Sequence, residues 1–302
     1  MKKKFFIFSL AIVIISLILV SGIQGDEKKN ENDLQATLTA LRAEIDNNGY
    51  SYTVDINPAC EVPLSQLCGL KADLAFADGN ENLREDQKGV GLLRSKLPSS
   101  YIGYYTPPRN QMACGSCWAF GMVGAVEGLF KKIYGTDVDL SEQQILDCNP
   151  WGYDCDGGWF NYAMFINPGA EEESCYPYVG YQTPCDESCP NLYFIRGWSY
   201  VVGYPTPAIK DIKQAIMTYG SVSVAIRATT AFQFYSGGVF DNCVSGDVNH
   251  AVVLIGWDDS LGAWRLKNSW DTTWGEGGFG WITYGCNKVG FGACYPIPFY
   301  GG

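Results

Sequence analysis

The chain has 302 residues, of which 47% are hydrophobic and 18% are charged, enough apolar material for one large domain or two modest ones. Its formal net charge is -11, and it contains a single histidine. A nucleic-acid partner requires a basic face that neutralises phosphates, so this balance argues against one. The twelve cysteines are typical of a protein that folds in an oxidising, extracytoplasmic compartment.

The N-terminus has the pattern of a secretory signal, with three lysines followed by a long apolar run. We predict that residues 1–25 are the signal peptide, with cleavage after Gly22 or Gly25. An uncleaved membrane anchor is the alternative because the run is long, and membrane contact is expected only in that case. The predicted location is the extracellular space or a lysosome-like compartment.

Residues 26–97 form a polar block with one clear helix, predicted over residues 34–45 from leucines at helical spacing. Within this block, Cys60 and Cys68 are close enough in sequence to close a small local loop. Residues 79–82 and the charged run after them indicate an exposed linker. A block of this kind between a signal and a denser domain predicts a propeptide, and a small accessory domain is the alternative.

The folded domain is predicted to span residues 98–302, where aromatic residues, glycines and cysteines become dense. A helix is predicted from Ser116 or Cys117 to Tyr134, with Gly135 as its stop. Cys117 therefore stands at a helix N-terminus. The helix dipole favours a thiolate there and is expected to lower the pKa of the cysteine.

Further helices precede a run of strands. A short helix is predicted after Ser141, in a capping box completed by Gln144, and a longer one from the cap Thr206 to the stop at Gly220. This order indicates an α+β fold with a mostly antiparallel sheet. The predicted strands are residues 221–226, 251–255, 263–267 and 279–284.

The tract between residues 148 and 189 is rich in loops and contains five cysteines. Long irregular segments rarely hold without cross-links, so disulfides are expected there. A zinc cluster is the alternative, but the single histidine and the irregular spacings argue against it. We therefore expect no metal and no other cofactor.

Cys114 and Cys117 are compatible with a redox pair, half a zinc site, or a nucleophile beside a structural cysteine. His250, the sole histidine, directly precedes a predicted strand and has the pKa of a general base. Asn268, further along, can orient the imidazole by accepting its other N–H. A lone histidine is usually structural, and the cysteine at a helix N-terminus is what favours catalysis here.

Together these residues resemble the papain-like cysteine peptidases, which share the Cys-Gly-Ser-Cys-Trp signature and a Cys-His-Asn arrangement. The resemblance covers about residues 97–302 and implies a two-lobed fold. One lobe is largely helical, the other is an antiparallel β-barrel, and the active-site cleft lies between them. The matching stretches, in family order, are Gln111 with residues 114–120, then 140–143, 155–158, 176–178, 249–252 and 268–270.

By this resemblance Cys117 is the nucleophile, His250 is the base and acid, and Asn268 holds the imidazole ring. The Gln111 side-chain amide and the Cys117 backbone N–H form the oxyanion hole. A glycine pair binds substrate backbone, and a tryptophan shields the histidine from water. The implied substrate-binding residues are Gly157, Gly158, Trp159, Phe160, Ala225, Val248, Asn249 and Trp270, with Phe299 as a further pocket candidate.

The resemblance implies a secreted endopeptidase that is made as a zymogen and acts through a thioester acyl-enzyme. The apolar pocket favours a bulky hydrophobic residue two before the cleaved bond. Because the chain lacks a second histidine, removal of C-terminal dipeptides is not expected. The expected partners are protein or peptide substrates and the chain's own propeptide as inhibitor, and the expected state is a monomer. A catalytically inactive papain-like protein that binds peptides is the main alternative, and a redox protein is a distant third.

The resemblance also implies disulfides. The family pairs are Cys114–Cys155 and Cys148–Cys185, which leave Cys175 and Cys189 as a local pair. The family pattern also joins Cys243 to Cys294, and Cys286 can replace either of these two cysteines. A bond from Cys114 to Cys155 would exclude redox chemistry between Cys114 and Cys117.

The sequence departs from the family in three places. Residues 101–104 replace its Asp-Trp-Arg, Asp271 replaces a glycine, and the propeptide lacks its long helical motif. Asp271 is expected to shift the local turn or to raise the pKa of His250. The way in which the propeptide blocks the cleft stays open.

Overall fold

The computed structural model describes residues 29–76 and 96–299. The predicted signal segment and the predicted linker at residues 79–82 lie outside these ranges. In the described residues the helices are α1 (Glu31–Asn48), α2 (Leu64–Leu67), α3 (Cys117–Tyr134), α4 (Glu142–Cys148), α5 (Ala163–Ile166), α6 (Ile209–Tyr219) and α7 (Thr230–Gln233), with short 3-10 helices at Pro58–Glu61, Ala72–Phe76 and Cys286–Lys288. The strands are β1 (Tyr52–Val54), β2 (Ser100–Ile102), β3 (Gly197–Tyr200), β4 (Val222–Ile226), β5 (Tyr235–Phe240), β6 (His250–Asp258), β7 (Ala263–Lys267), β8 (Phe279–Thr283) and β9 (Phe291–Ile297).

Helix α1 confirms the helix predicted in the N-terminal block and extends it at both ends. The Asn30 side chain caps it by accepting the N–H of Asp33, and Gly49, with φ 66°, ends it. Its buried leucines hold it on the rest of the protein, and the chain that follows pairs with the sheet through β1 and β5. The N-terminal block is therefore packed on the domain. None of the described helices is long and apolar enough to cross a membrane.

Helix α3 is the central element, and its predicted bounds are confirmed. It begins at Cys117 and ends at Gly135, which has φ 68°. Every residue from Cys117 to Leu129 is buried, so the helix is enclosed on all sides rather than along one stripe. Gly128 permits this, because a Cβ there would lie 2.7 Å from the Tyr104 carbonyl oxygen.

Two predicted caps differ in the structure. Ser141 accepts the N–H of Gln144 as predicted. The Gln144 side chain does not accept the Ser141 N–H, as a capping box requires, and its Nε2 donates to the Gly169 carbonyl. Helix α6 starts at Ile209 with Ala208 as its N-cap, so the predicted start at Thr206 is wrong by about two residues. Its predicted stop at Gly220 is confirmed.

In the described residues nine strands form one sheet in the order β1-β5-β8-β7-β6-β4-β9-β3, with β2 added to β6. The first half of β6 pairs with β4 and its second half with β2, while β7 runs along its other edge. All pairs are antiparallel except β5 with β8. The four predicted strands are present within one or two residues, except that β6 extends to Asp258, and the α+β fold class is confirmed.

Three disulfides join the pairs expected from the resemblance: Cys114–Cys155, Cys148–Cys185 and Cys175–Cys189. The first removes Cys114 as a redox partner of Cys117. The second and third cross-link the loop-rich tract that was predicted to need them.

The expected pairing of Cys243 with Cys294 is wrong, and the alternative in which Cys286 replaces Cys294 is confirmed, because Cys243 bonds Cys286 with Cα atoms 4.8 Å apart. The Val244 N–H donates to the Asn287 side chain at 2.8 Å, which ties the two loops together beside this bond. Cys294 instead lies in β9, where pairing with β3 and β4 fixes it in the core as a free thiol.

A local disulfide between Cys60 and Cys68 is also absent, and both are free thiols. The Cys60 sulfur is buried and lies 3.6 Å from the Gln233 carbonyl oxygen. Cys68 lies close to Cys117. The eight-residue spacing therefore does not bring these two sulfurs together.

Candidate active site

Cys117 is fully buried at the first position of α3. Its sulfur accepts hydrogen bonds from the backbone N–H groups of Ala251 and Gly69. Ala251 directly follows His250, so the start of α3 and the start of β6 meet at this sulfur. Burial raises the pKa of Cys117 to about 11, and the N–H groups oppose this only in part. The lowered pKa expected at this helix start is therefore wrong while the site is covered.

His250 is also fully buried, and its Nε2 lies 2.8 Å from the Asn268 Oδ1. An amide oxygen can only accept, so Nε2 carries the proton and donates it. The other ring nitrogen, Nδ1, has no hydrogen-bond partner among the described residues. The ring therefore presents a lone pair that is able to take a proton.

The environment of His250 keeps the imidazole neutral. Burial lowers its pKa to about 4, and the Asn268 side chain and the Leu67 backbone oppose this only in part. Trp270 stacks on the ring with centroids 4.5 Å apart and is 1% exposed, so it shields the contact between His250 and Asn268 from water. Asp271 does not raise this pKa as expected. It takes φ 70°, in the left-handed region that favours glycine, and its carboxylate accepts a hydrogen bond from the Thr272 hydroxyl.

Gln111 is completely buried, and both sides of its amide are fixed. Its Nε2 donates to the carbonyl oxygens of Leu67 at 2.9 Å and Cys114 at 2.8 Å. Its Oε1 accepts from the Ser269 hydroxyl at 2.6 Å. The amide nitrogen thus points to the N-terminus of α3. The Leu67 carbonyl oxygen lies where a bound ligand would accept a hydrogen bond from this amide.

Tyr178 also holds Gln111, through its backbone carbonyl. Its hydroxyl donates to the Gln111 carbonyl at 2.9 Å and lies 2.7 Å from the Ser116 Oγ. A phenol has one proton to give, so Ser116 is the donor in the second bond. Burial raises the pKa of Tyr178, which keeps this proton in place. Sequence reasoning gave neither Ser269 nor Tyr178 a role, although both stand in matched motifs.

A buried ion pair holds Asn268 in register with α3. Lys267, at the end of β7, places its Nζ 3.5 Å from the Glu127 Oε2 and donates to the Thr106 hydroxyl at 2.7 Å. Glu127 lies in α3, so the pair connects the helix of Cys117 to the strand that leads into Asn268. The sequence signal that was missed is Glu127, the one charged residue of α3 before its last turn.

Residues 67–71 lie across the site, and we call them the cleft segment. The Gly158 N–H donates to the Gly69 carbonyl at 2.9 Å, and the Lys71 N–H donates to the Gly158 carbonyl at 3.0 Å. The Leu70 N–H donates to the Asn249 carbonyl at 2.9 Å. Gly158 and Asn249 thus bind an extended chain through their backbones, in the manner expected for substrate.

Gly157 and Gly158 lack side chains for different reasons. A Cβ at Gly157, which has φ 128°, would lie 2.1 Å from the Gly69 oxygen, so the cleft segment needs that space. A Cβ at Gly158 would lie 2.7 Å from the Tyr153 ring, so the protein's own packing needs that space. Of these two glycines, only Gly158 forms hydrogen bonds with the cleft segment.

The expected pocket residues are mostly interior. Trp159, Phe160, Ala225 and Val248 are at most 5% exposed, whereas Phe299 is 49% exposed and lies outside the buried cluster. Leu70 is 5% exposed, its N–H donates to the Asn249 carbonyl, and it is bridged to Gly158 through the hydrogen bonds of its two neighbours. Its backbone therefore lies beside the residues next to Val248 and Trp159, and its side chain is buried in the same apolar cluster as theirs.

A buried thiol at a helix start, a neutral imidazole held by an amide, and an amide donor aimed at a peptide carbonyl define a cysteine protease. Comparison with known proteins agrees, because the family model described as papain family cysteine protease matches residues 99–297. The chain belongs to this family. In the described residues no group of three or more potential ligands could hold a metal ion.

Several relatives support the assignment. The chain is 40% identical to mouse cathepsin K over 242 residues, 76% of this chain and 71% of that protein, and 34% identical to pineapple fruit bromelain over 77% and 68%. Digestive procathepsin L 3 from Tenebrio molitor superposes with a TM-score of 0.73 at 28% identity, covering 88% of this chain and 89% of that one. A Carica candamarcensis cysteine protease in complex with E-64 gives 0.61 at 35% identity, covering 67% and 99%.

Proposed function

We propose that the protein is a secreted endopeptidase, made as a zymogen, in which Cys117, His250 and Asn268 carry out peptide hydrolysis. One observation carries the proposal. His250 gives its Nε2 proton to Asn268 and presents an unbonded Nδ1, while the residue after it donates to the Cys117 sulfur. This arrangement pairs a nucleophile with an oriented base.

In the proposed mechanism His250 takes the Cys117 proton, and the thiolate attacks the substrate carbonyl. The Gln111 amide and the Cys117 backbone N–H stabilise the oxyanion, and the imidazolium then protonates the leaving amine. Water hydrolyses the thioester with His250 acting again as base. The Leu67 carbonyl, which accepts from Gln111 at 2.9 Å, marks the place where the substrate carbonyl would lie.

Residues 26–97 are the proposed propeptide, and the cleft segment is its inhibitory part. Its chain passes from Gln111, at Leu67, to Gly158, at Gly69 and Lys71. A substrate would pass from the pocket beside Gly158 towards Gln111, because the pocket takes the residue two before the cleaved bond. The cleft segment therefore runs in the opposite direction. It fills the cleft without presenting a peptide bond in the reactive orientation.

An active-site probe tests this function. The processed protein is treated with an epoxysuccinyl inhibitor, and the labelled residue is mapped by mass spectrometry. We expect one label on Cys117, loss of peptidase activity in proportion to labelling, and a mature N-terminus near residue 98. A processed, folded protein that takes no label and cleaves no peptide would favour the inactive peptide-binding alternative.

Removing the Gln111 amide is expected to slow catalysis with little effect on folding. Gln111→Ala should lower kcat about 10²-fold, because one preorganised donor to the oxyanion is lost. Gln111→Glu is the matched control, since it keeps the size but replaces the donor with an anion, and it should be at least as slow. The measurement is kcat and KM on one peptide substrate. An unchanged kcat would remove Gln111 from the mechanism.

The pocket should select leucine or a similar aliphatic residue two before the cleaved bond. Leu70 lies beside this place in the covered cleft, bridged to Gly158, and is 5% exposed. Burial of such a side chain contributes about 1.5–3 kcal/mol, so leucine should exceed alanine by about tenfold or more in kcat/KM. Cleavage of a peptide library by the processed protein measures this. A preference for a charged residue there would show that Leu70 does not mark the pocket.

Acid should open the covered cleft. The pKa of His250 is about 4 in the covered form and about 6.5 in water, so the covered form binds fewer protons. Lowering the pH from about 6.5 to about 4 therefore favours the open form increasingly, by up to about 3 kcal/mol. In the covered form the thiol of Cys117 stays protonated throughout this range. In a Cys117→Ser chain His250 has no thiol proton to take, so His250 alone gives the pH dependence.

Hydrogen exchange measures this opening. Cys117→Ser prevents processing, and amide exchange at residues 67–71 is followed between pH 7.5 and pH 4 after correction for intrinsic rates. As the pH is lowered, protection should fall in the Cys117→Ser variant and stay nearly constant in the Cys117→Ser, His250→Gln double variant. Equal pH dependence in both would show that His250 does not control opening.

A further inference from the structure

Four cysteines of the described residues are free, and two of these lie at the covered cleft. Cys117 accepts a hydrogen bond from the Gly69 N–H, and Cys68 directly precedes Gly69. A Cβ on Gly115, two residues before Cys117, would lie 3.0 Å from the Gly69 Cα, so the residue next to Cys68 packs against the turn that leads into α3. Neither Cys68 nor Cys117 is joined to another residue by a disulfide.

The surroundings hold Cys68 in this place. On one side the Leu67 carbonyl is bound by the Gln111 amide at 2.9 Å, and on the other the Gly69 carbonyl is bound by the Gly158 N–H at 2.9 Å. A side chain at Gly69 is excluded, because a Cβ there would lie 1.8 Å from the Gly115 oxygen. Cys68 is thus fixed between two anchored residues, directly over the start of α3.

The other two free thiols have structural surroundings instead. The Cys60 sulfur is 3.6 Å from the Gln233 carbonyl, and the Cys294 sulfur is 3.9 Å from the Ser223 carbonyl, both inside the core. Cys68 is partly exposed at the residue level, whereas Cys117 is not exposed at all. A reagent from solution would therefore meet Cys68 before Cys117. Burial raises the pKa of Cys68, and the charge of the Cys117 thiolate raises it further.

We propose that Cys68 and Cys117 are a cross-linking site, at which a disulfide ties the cleft segment to the nucleophile until a reductant releases it. The inference rests on the proposed role of Cys117 as nucleophile. It adds a covalent, redox-sensitive lock to the non-covalent block by the cleft segment. An enzyme locked in this way stays inactive in an oxidising compartment, whatever the pH, and becomes active after reduction.

The oxidant is a small-molecule disulfide of the glutathione class. The Cys68 thiolate attacks one sulfur of the oxidised glutathione, so a mixed disulfide forms and one glutathione thiolate leaves. The Cys117 thiolate then attacks the Cys68 sulfur of the mixed disulfide and displaces the second glutathione thiolate. The two protons lost by the cysteines go to the two glutathione thiolates. The protein is oxidised by two electrons, and the glutathione disulfide is reduced by two.

The test uses the full chain before processing. The uncleaved protein is incubated with oxidised glutathione at pH 8, quenched with acid, and digested without reduction for peptide mapping. We expect a peptide pair joined through Cys68 and Cys117 and an uncleaved chain two hydrogens lighter. Labelling of Cys117 by iodoacetamide should fall at least about tenfold and return with dithiothreitol.

Two variants complete the experiment. Cys68→Ser should give no joined pair, and its processing should no longer require reductant, whereas the control Cys60→Ser should behave as the parent chain. Glutathione left on Cys68 alone, or a bond between Cys60 and Cys68, would overturn the proposal. Because the readout is a mass and not an activity, it is independent of the proposed function. If the joined peptide pair forms in a protein without peptidase activity, the proposed function is contradicted but the proposed cross-link stands.

Discussion

Replacing Cys117 with alanine should lower kcat/KM for peptide hydrolysis by about 10⁴-fold or more, because no other group in the cleft can form the acyl-enzyme. Alanine keeps the helix start and its backbone N–H, so substrate binding and half of the oxyanion hole should survive. The loss is therefore expected in kcat, with KM changed by only a few fold. The measurement is steady-state kinetics with a fluorogenic peptide carrying leucine at the pocket position.

The control for this variant is Cys294→Ala. Cys294 is another completely buried free thiol, but it lies in β9 beside Ser223 and not in the cleft. Its replacement should leave activity per folded molecule within about twofold while lowering stability through a small cavity. Since Cys117→Ala cannot process itself, an added protease removes its propeptide before the assay. More than about one per cent residual activity would remove Cys117 from its proposed role.

The reactivity of the Cys117 thiol should increase about 10³-fold when the cleft segment leaves. In the covered form burial holds the pKa of Cys117 at about 11, so about one molecule in 10⁴ carries the thiolate at pH 7. Opening exposes the sulfur to water and lets His250 take its proton. The rate of iodoacetamide labelling at Cys117, read by mass spectrometry, measures the change.

The pH dependence separates ionisation from simple access. In the uncleaved chain the labelling rate should rise about tenfold per pH unit from pH 7 to pH 9, because the thiolate fraction does so below a pKa of about 11. In the processed protein the rate should be nearly flat over this range. Parallel profiles would show that access alone limits the reaction. The disulfide-bonded Cys114 supplies the internal control, since it should stay unlabelled in both forms.

Local signals were sufficient for much of the fold. Helix α3 has a glycine stop and two lysines in its last turn, and α1 has leucines at helical spacing, so both could be predicted from short stretches. The start of α6 could not, because Thr206 and Pro207 are good capping residues that the chain does not use. Propensity ranks the possible starts, but tertiary packing selects among them.

The candidate site contains residues that the sequence predicts and a segment that it does not. Cys117, His250 and Asn268 could be predicted because each stands in a motif whose residue types the chemistry requires. The cleft segment could not, because it is bound through backbone N–H and carbonyl groups, which leave little trace in the sequence. The partner of Cys243 could not be chosen from the sequence, for a geometric reason. Cys286 and Cys294 are both near in sequence, and only the pairing of β9 shows which of them faces the core.

The direction of residues 67–71 suggests a route to inhibitors. A peptide that copies Leu-Cys-Gly-Leu-Lys would exchange main-chain hydrogen bonds with Gly158 and donate one to the Asn249 carbonyl, yet it would offer the thiol no peptide bond in the orientation for attack. Its central glycine must stay, since a Cβ at Gly69 would lie 1.8 Å from the Gly115 oxygen. Such a ligand would resist hydrolysis because its chain runs against the direction of a substrate, without a modified backbone.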